Sequence, residues 1–283
     1  MKTVLVTGAS GLLGSNVVRH LLAKDFQVIS SIMPIEQTTY VPKSNEKIVL
    51  NDDVFAGKLP HIDVVINCAF ARSNNAEQLA SAFDFTTLLI EGFRKADIEG
   101  VINISSQGVY KRLPVGQLSR EDSPIEPIDT YSMSKYAAEK MFVLSGIKHV
   151  TSVRLASLNM KQRFLYHFVR SAKEEGVIHL DSPRVYASIL DVDDAAAALT
   201  ALAAVPSSSW KGIYNLGIGT QYSLQQYAET VKAVGEKLGY NIKIVTNDNG
   251  NESTAGSDIS QLVADTGWKP SVNNEMMVEK MFK

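Results

Sequence analysis

The chain has 283 residues, 45% of them hydrophobic and 20% charged, with a formal net charge of -2. That length suffices for one large α/β domain, or for a domain with a smaller lobe, and for a core that needs no staples. The near-neutral charge gives no basic field for nucleic acid, and the lone cysteine, Cys68, excludes an intramolecular disulfide or a thiolate metal cluster and fits a reduced, cytoplasmic setting.

The opening "MKTVLVTGAS" has too short an apolar run before Gly8 for a signal-peptide core, and no later run is long enough to span a membrane. β-branched runs predict strands at 3–7, 27–32, 47–50, 63–67, 100–105 and 150–155. Between several of them lie amphipathic stretches such as "LLGSNVVRHLLAKD", where Leu13, Val17 and Leu21 recur every four residues. Apolar strands separated by helices predict an α/β fold with a doubly wound parallel sheet covered on both faces. After residue 155 the rhythm loosens into a basic and aromatic segment, an Ala-rich helix at 195–205, the strand "GIYNLGI" and a tail of turns and helices. The expected division is a first domain at 1–155 to which 185–218 returns, and a smaller substrate-binding lobe made of 156–184 and 219–283.

Directly after the first strand, "VTGASGLLG" places Gly8, Gly11 and Gly14 at the start of a helix. Small residues there let the backbone approach a pyrophosphate, which rests on free N–H groups at the helix's positive end. The second strand, "QVISSIMP", ends with neither the acid that selects NAD nor an arginine for NADP, so the choice of cofactor stays open.

Further along, "TYSMSK" sets Tyr131 and Lys135 one helical turn apart on the same face. A phenol has an unperturbed pKa of about 10, so a base near neutrality needs a neighbouring cation that favours the phenolate. The five histidines (His20, His61, His149, His167 and His179) lack metal-ligand spacing, and the aspartates of "DVDD" read as caps at a helix start, so no metal site is expected. Cys68 reads as a core side chain, not a nucleophile.

Taken together, "TGASGLLG" and the Tyr-x-x-x-Lys of "YSMSK" resemble the short-chain dehydrogenase/reductase superfamily. "DVVINCAFA", "ISSQGVY", "PIDTYSMSKYAAEK", "RVYASILDVDDAAAA" and "DISQLVADTGWKP" narrow the resemblance to its extended branch, the NAD-dependent epimerase/dehydratase family that includes UDP-glucose 4-epimerase. This resemblance implies a Rossmann domain binding NAD, or NADP, through Gly8, Ser10, Gly11, Leu12, Leu13, Gly14, Asn51 or Asp52, Cys68, Ala69, Phe70 and Ser105. It implies Tyr131 as acid/base, Lys135 as its electrostatic modifier and ribose anchor, and Ser106, with Ser105 as alternative, as hydrogen-bond partner of the reacting oxygen. Substrate contacts are implied for Gln107, Ser157 and Arg184, with Arg184 on a nucleotide diphosphate, and a homodimer through a helix pair including 131–144 is also implied.

Several residues depart from the family pattern. Where related 4,6-dehydratases carry acids for water elimination, this chain has Gln107 and Gly108, which leaves epimerisation or simple oxidation and reduction. Ser157 stands where an asparagine often touches the sugar, and "NGNESTAGSDIS" lacks the expected second arginine, leaving Lys161, Gln162 and Arg163 to compensate. The expected function is therefore an NAD(P)-dependent epimerase or oxidoreductase of a sugar, carried on a nucleotide. The alternatives are an NADPH-dependent reductase of a non-nucleotide carbonyl compound and a dinucleotide-binding sensor without turnover.

Overall fold

The computed structural model describes residues 1–71, 73–160 and 163–283, so Lys161 and Gln162 lie outside the described residues. In chain order, the first half comprises β1 (Thr3–Thr7), α1 (Leu12–Leu22), β2 (Gln27–Ile32), β3 (Glu46–Leu50), α2 (Asn51–Phe55), β4 (Ile62–Asn67), α3 (Ala76–Lys95), β5 (Ile98–Ser106), α4 (Thr130–Val143) and β6 (His149–Leu155). The second half begins with β7 (Ser157–Leu158), α5 (Phe164–Glu174), β8 (Val177–Leu180), β9 (Tyr186–Ala187) and β10 (Ile189–Leu190). It continues with α6 (Val192–Ala204), β11 (Ile213–Leu216), β12 (Tyr222–Ser223), α7 (Leu224–Lys237), β13 (Lys243–Thr246), α8 (Ser260–Thr266) and α9 (Asn274–Phe282).

Seven strands form the central sheet in the order β11-β6-β5-β4-β1-β2-β3, and every neighbouring pair is parallel. The alternation of side chains explains why β1 is apolar throughout. Val4 and Val6 join a core under α1 and α6, whereas Leu5 joins a separate core under α2, α3 and α4. Chain direction across the sheet reverses between β1 and β4, and the crevice beyond their carboxyl ends is where ligands bind in such sheets.

The Ala-rich segment forms α6, whose Ala195, Ala196, Ala198 and Ala203 are buried in the first core with Val17, Val18 and Leu21 of α1. At its start Asp191 accepts from the Asp193 N–H at 2.9 Å, the capping role expected for "DVDD". At its end Lys2 Nζ donates to the carbonyls of Ala203, Ala204 and Val205, satisfying groups that the helix cannot. A third core, built by Leu165, Phe168, Tyr227, Val231, Met277 and Phe282, holds α5, α7 and α9 together. Ile259, Leu262 and Trp268, grouped with the lobe in the sequence-based division, pack instead in the first core beside α6 and β11. No helix among the described residues is long and apolar enough to cross a membrane.

Candidate active site

The glycine loop follows from contacts that only hydrogen atoms permit. Gly8 has a φ of +67°, and a Cβ there would lie 2.9 Å from the Ala69 nitrogen at the end of β4; a Cβ on Gly14 would lie 2.1 Å from the Gly8 carbonyl oxygen. Gly11 caps α1 without a side-chain bond, and the first turn of α1 contains no acid. The leading N–H groups of this helix therefore face the crevice with no internal partner, an arrangement suited to a pyrophosphate.

From this loop a cleft of about 420 Å³ runs along the carboxyl ends of β1, β4, β5 and β6. Its walls include Gly8, Gly11, Leu12, Leu13, Gly14, Cys68 and Phe70 on the loop side. They also include Ser105, Ser106, Gln107, Tyr131, Lys135 and Ser157. The structure thus gathers most of the residues singled out in the sequence along one surface.

Asp129 caps α4 by accepting from the Ser132 N–H at 2.6 Å, and Asn74 Oδ1 accepts from the Tyr131 N–H at 2.9 Å. These bonds fix the first turn of α4, and with it the tyrosine, at the cleft. Lys135 follows one turn later and is only 5% exposed, with its Nζ 4.3 Å from the centre of the Phe70 ring. Burial lowers its pKa to about 8, against the opposing pull of the Glu139 carboxylate. Burial likewise pushes the Cys68 thiol up to about 12, which keeps it protonated and removes it as a nucleophile.

A testable consequence follows from linkage. The folded pKa of Lys135 is depressed below its unfolded value of 10.5, so the unfolded chain holds more protons between about pH 8 and 10.5 and wild-type stability rises across that window. Lys135→Met should raise the melting temperature of the cofactor-free protein at pH 7, and the advantage should shrink as pH rises above about 8. Thermal melts across pH check this; a variant less stable than wild type at pH 7 would contradict it.

Ser106 ends β5, and its Oγ accepts from the Gly108 N–H at 3.1 Å. A Cβ on Gly108 would lie 2.6 Å from Ser132 Oγ and 3.3 Å from Ser106 Oγ, so this glycine is wedged between the serine and the residue that follows Tyr131. A side chain at position 108 would require the Ser132 hydroxyl to move. Ser105 is 3% exposed, lines the cleft, and its Oγ lacks a hydrogen-bond partner among the described residues. An orphaned hydroxyl beside the glycine loop is what a polar cofactor would satisfy.

Other expected contacts fall elsewhere. Asn51 is buried with Ser31 donating to its Oδ1, Asp52 is exposed in the first turn of α2, and neither lines the cleft. Arg184 stands outside the cleft-lining set, half-exposed and paired with Asp248 at 3.0 Å and Glu252 at 2.9 Å. Two carboxylates already occupy the fork that was expected to hold a diphosphate. Ser10 does not line the cleft either; its Oγ donates to Glu36 Oε1 at 2.6 Å.

Glu36 was missed in the sequence. A 3-10 turn at Pro34–Glu36, right after β2, carries this acid back to the glycine loop, and its other oxygen accepts from the Met33 N–H at 2.9 Å. The available signal was Pro34, which favours a tight turn, followed two residues later by the acid. Among the described residues no group of three or more His, Cys, Asp or Glu is placed to hold a metal ion.

Comparison with known proteins agrees with this geometry. The chain is 25% identical over 298 residues to the low-salt glycan biosynthesis protein Agl12 of Haloferax volcanii, covering 94% of this chain and 93% of that one. Its fold matches UDP-N-acetylglucosamine 4-epimerase from Bacillus cereus with a TM-score of 0.79 at 18% identity, over 100% of this chain and 96% of the other. MoeE5, solved in complex with UDP-glucose and NAD, gives a TM-score of 0.80 at 20% identity over 99% and 97% of the two chains. The family model for the NAD dependent epimerase/dehydratase family matches residues 4–217, well over half of the chain, and the protein belongs to that family.

Proposed function

We propose that this protein is an NAD-dependent epimerase of a nucleotide sugar. The observation that carries the reading is the cleft joining the glycine loop to Tyr131, Lys135 and Ser106, with Gln107 and Gly108 standing where an elimination acid would be. The solved relatives named for a UDP-sugar epimerase and for UDP-glucose and NAD binding share this fold and support the choice of substrate class.

NAD bound along the α1 end of the cleft supplies a reversible hydride acceptor. The glycine loop and the first turn of α1 would hold its pyrophosphate, Ser105 would offer a hydroxyl to its polar groups, and Lys135 would reach its ribose. Tyr131 takes the proton of the reacting sugar hydroxyl and later returns it, Lys135 stabilises the phenolate, and Ser106 Oγ donates to the sugar oxygen. With no acid at 107 or 108, loss of water from the ketone would not be assisted, and Tyr131 would return its proton to the oxygen as the carbonyl carbon takes back a hydride on either face.

Glu36, tied to Ser10 of the glycine loop, gives this chain a carboxylate next to that loop, though outside the cleft-lining set, where the adenosine ribose of a bound dinucleotide would lie. It serves the ribose hydroxyls and repels a 2′-phosphate, so NAD is preferred over NADP. Glu36→Gln should reduce that preference by roughly tenfold or more, about 1.4 kcal/mol, when the two dissociation constants are compared. An unchanged ratio would remove Glu36 from cofactor selection.

Leu88 on α3, Met133 and Val143 on the neighbouring α4, and Leu144 at its end are exposed apolar side chains, and we assign this helix pair to a homodimer interface. Light scattering should give twice the chain mass for wild type and the chain mass for Leu88→Asp/Met133→Asp; a monomeric wild type would refute this.

Native mass spectrometry of gently purified protein, with thermal-shift screening against NAD, NADP and UDP-, dTDP- and GDP-sugars, tests the reading. Retained NAD and stabilisation by one nucleotide sugar are expected. Arg184's engagement by Asp248 and Glu252 favours a second reading, a reductase of a non-nucleotide carbonyl compound. Stabilisation by NADPH and by no nucleotide sugar would select that alternative.

A further inference from the structure

Lys135 carries its charge where little water reaches it, and among the described residues no carboxylate pairs with it. The one acid within α4, Glu139, gives both carboxylate oxygens to Arg154 of β6. The other elements around the lysine bring no opposite charge to it. Burial keeps the Cys68 thiol after β4 protonated, and Asp129 is engaged as the cap of α4. The charged side chains of α3 are exposed, and β5 carries only Glu99, at the end of the strand away from the cleft.

What faces the ammonium is an aromatic ring. Lys135 Nζ lies over Phe70, 4.3 Å from the ring centre, and Phe70 lines the cleft just after the end of β4. Phe83 of α3 meets that ring in a T-shaped contact, with centroids 6.1 Å apart and planes at 83°, which fixes its orientation. The face of a phenyl ring carries the negative part of its quadrupole, and its attraction for a cation is strongest where water is excluded. A carboxylate in the same place would also hold the ammonium, but its charge would cancel much of the field that reaches Tyr131 one turn away. The ring stabilises the cation and leaves that field in place.

We propose that Phe70 is a positioning residue of the reaction: its ring face holds the buried Lys135 ammonium as a cation without a counter-charge, so that Tyr131 can release its proton. The inference rests on the acid/base reading of Tyr131 and Lys135 above and adds the residue on which the charge of Lys135 depends. An aliphatic side chain at position 70 would fill similar space but leave the ammonium to lose its proton at lower pH.

Thermal melts of the cofactor-free full chain across pH test it, in wild type, Phe70→Leu and Phe70→Trp, each with and without Lys135→Met. The ring stabilises only the protonated lysine, whose folded pKa is about 8. The melting temperature lost in Phe70→Leu should therefore be roughly 1–4 °C larger near pH 6.5 than near pH 10. Phe70→Trp keeps a ring face, so whatever its packing cost, that cost should not change with pH. In the Lys135→Met background the loss from Phe70→Leu should be equal at the two pH values. A loss that is equal at both pH values with Lys135 present, or one that still varies with pH without it, would overturn the inference. The second readout is the ionisation of Tyr131, followed as the tyrosinate absorbance that Tyr131→Phe removes, and it should need a higher pH in Phe70→Leu than in wild type. An unchanged ionisation would overturn the link from the ring to the tyrosine. Neither readout uses a substrate, so the nucleotide-sugar reading stands or falls separately.

Discussion

Tyr131→Phe should lower kcat by roughly 10²- to 10⁴-fold, the range over which a positioned acid/base contributes, while NAD binds as in wild type. The ring survives the change, and the backbone that positions it is held by Asn74 and by the Asp129 cap, neither of which touches the phenol. Only the proton-transferring oxygen is lost. Steady-state kinetics combined with calorimetric titration of NAD separates the two effects. An unchanged kcat would remove the tyrosine from the chemistry, and a parallel loss of NAD affinity would reassign it to binding.

Glu139→Gln should produce the largest loss of stability, about 3–5 kcal/mol. Arg154 on β6 donates to both carboxylate oxygens of Glu139 on α4, Nε at 3.0 Å and Nη2 at 2.9 Å, with the two side chains 4% and 1% exposed. Burial alone would lower the arginine's pKa, but the Glu139 carboxylate outweighs it and raises the value, so removing that charge strands a buried cation. The guanidinium also lies 4.7 Å over the Tyr110 ring, whose hydroxyl donates to Asn215 Oδ1 at 2.7 Å, tying α4, β6, β11 and the loop after β5 into one network. Because Glu139 follows Lys135 by one turn, this pair sets where α4 stands against the sheet. Chemical denaturation checks the loss; Glu139→Leu/Arg154→Met, which removes both charges, should recover much of it. A single variant as stable as wild type would show that the pair does not anchor the helix.

What was legible in the sequence was encoded locally. The strands of the first half, the glycine loop and the Tyr131/Lys135 spacing follow from periodicity and from contacts within a few residues, and the structure places them on one sheet edge and one cleft. What was not legible depended on distant partners. Arg184 looked available until the fold brought Asp248 and Glu252 to it, and Asn51 until Ser31 of the adjacent strand bonded to it. Glu36 was overlooked because the acid follows the end of β2 by a turn instead of ending it. The residues around α8 were grouped with the lobe by chain position, yet the apolar faces of Leu262 and Trp268 are buried under α6. In each case tertiary packing decided what the local pattern could not.

The most direct test of the central claim is turnover of UDP-glucose deuterated at C4, with UDP-N-acetylglucosamine and dTDP- and GDP-hexoses as parallel substrates, followed by nuclear magnetic resonance of the sugar ring. The account predicts conversion of one nucleotide sugar to its epimer with catalytic NAD, no accumulation of reduced cofactor, and retention of the label at the inverted carbon. Net accumulation of reduced cofactor in step with product, or conversion of none of these sugars by the NAD-loaded protein, would contradict it.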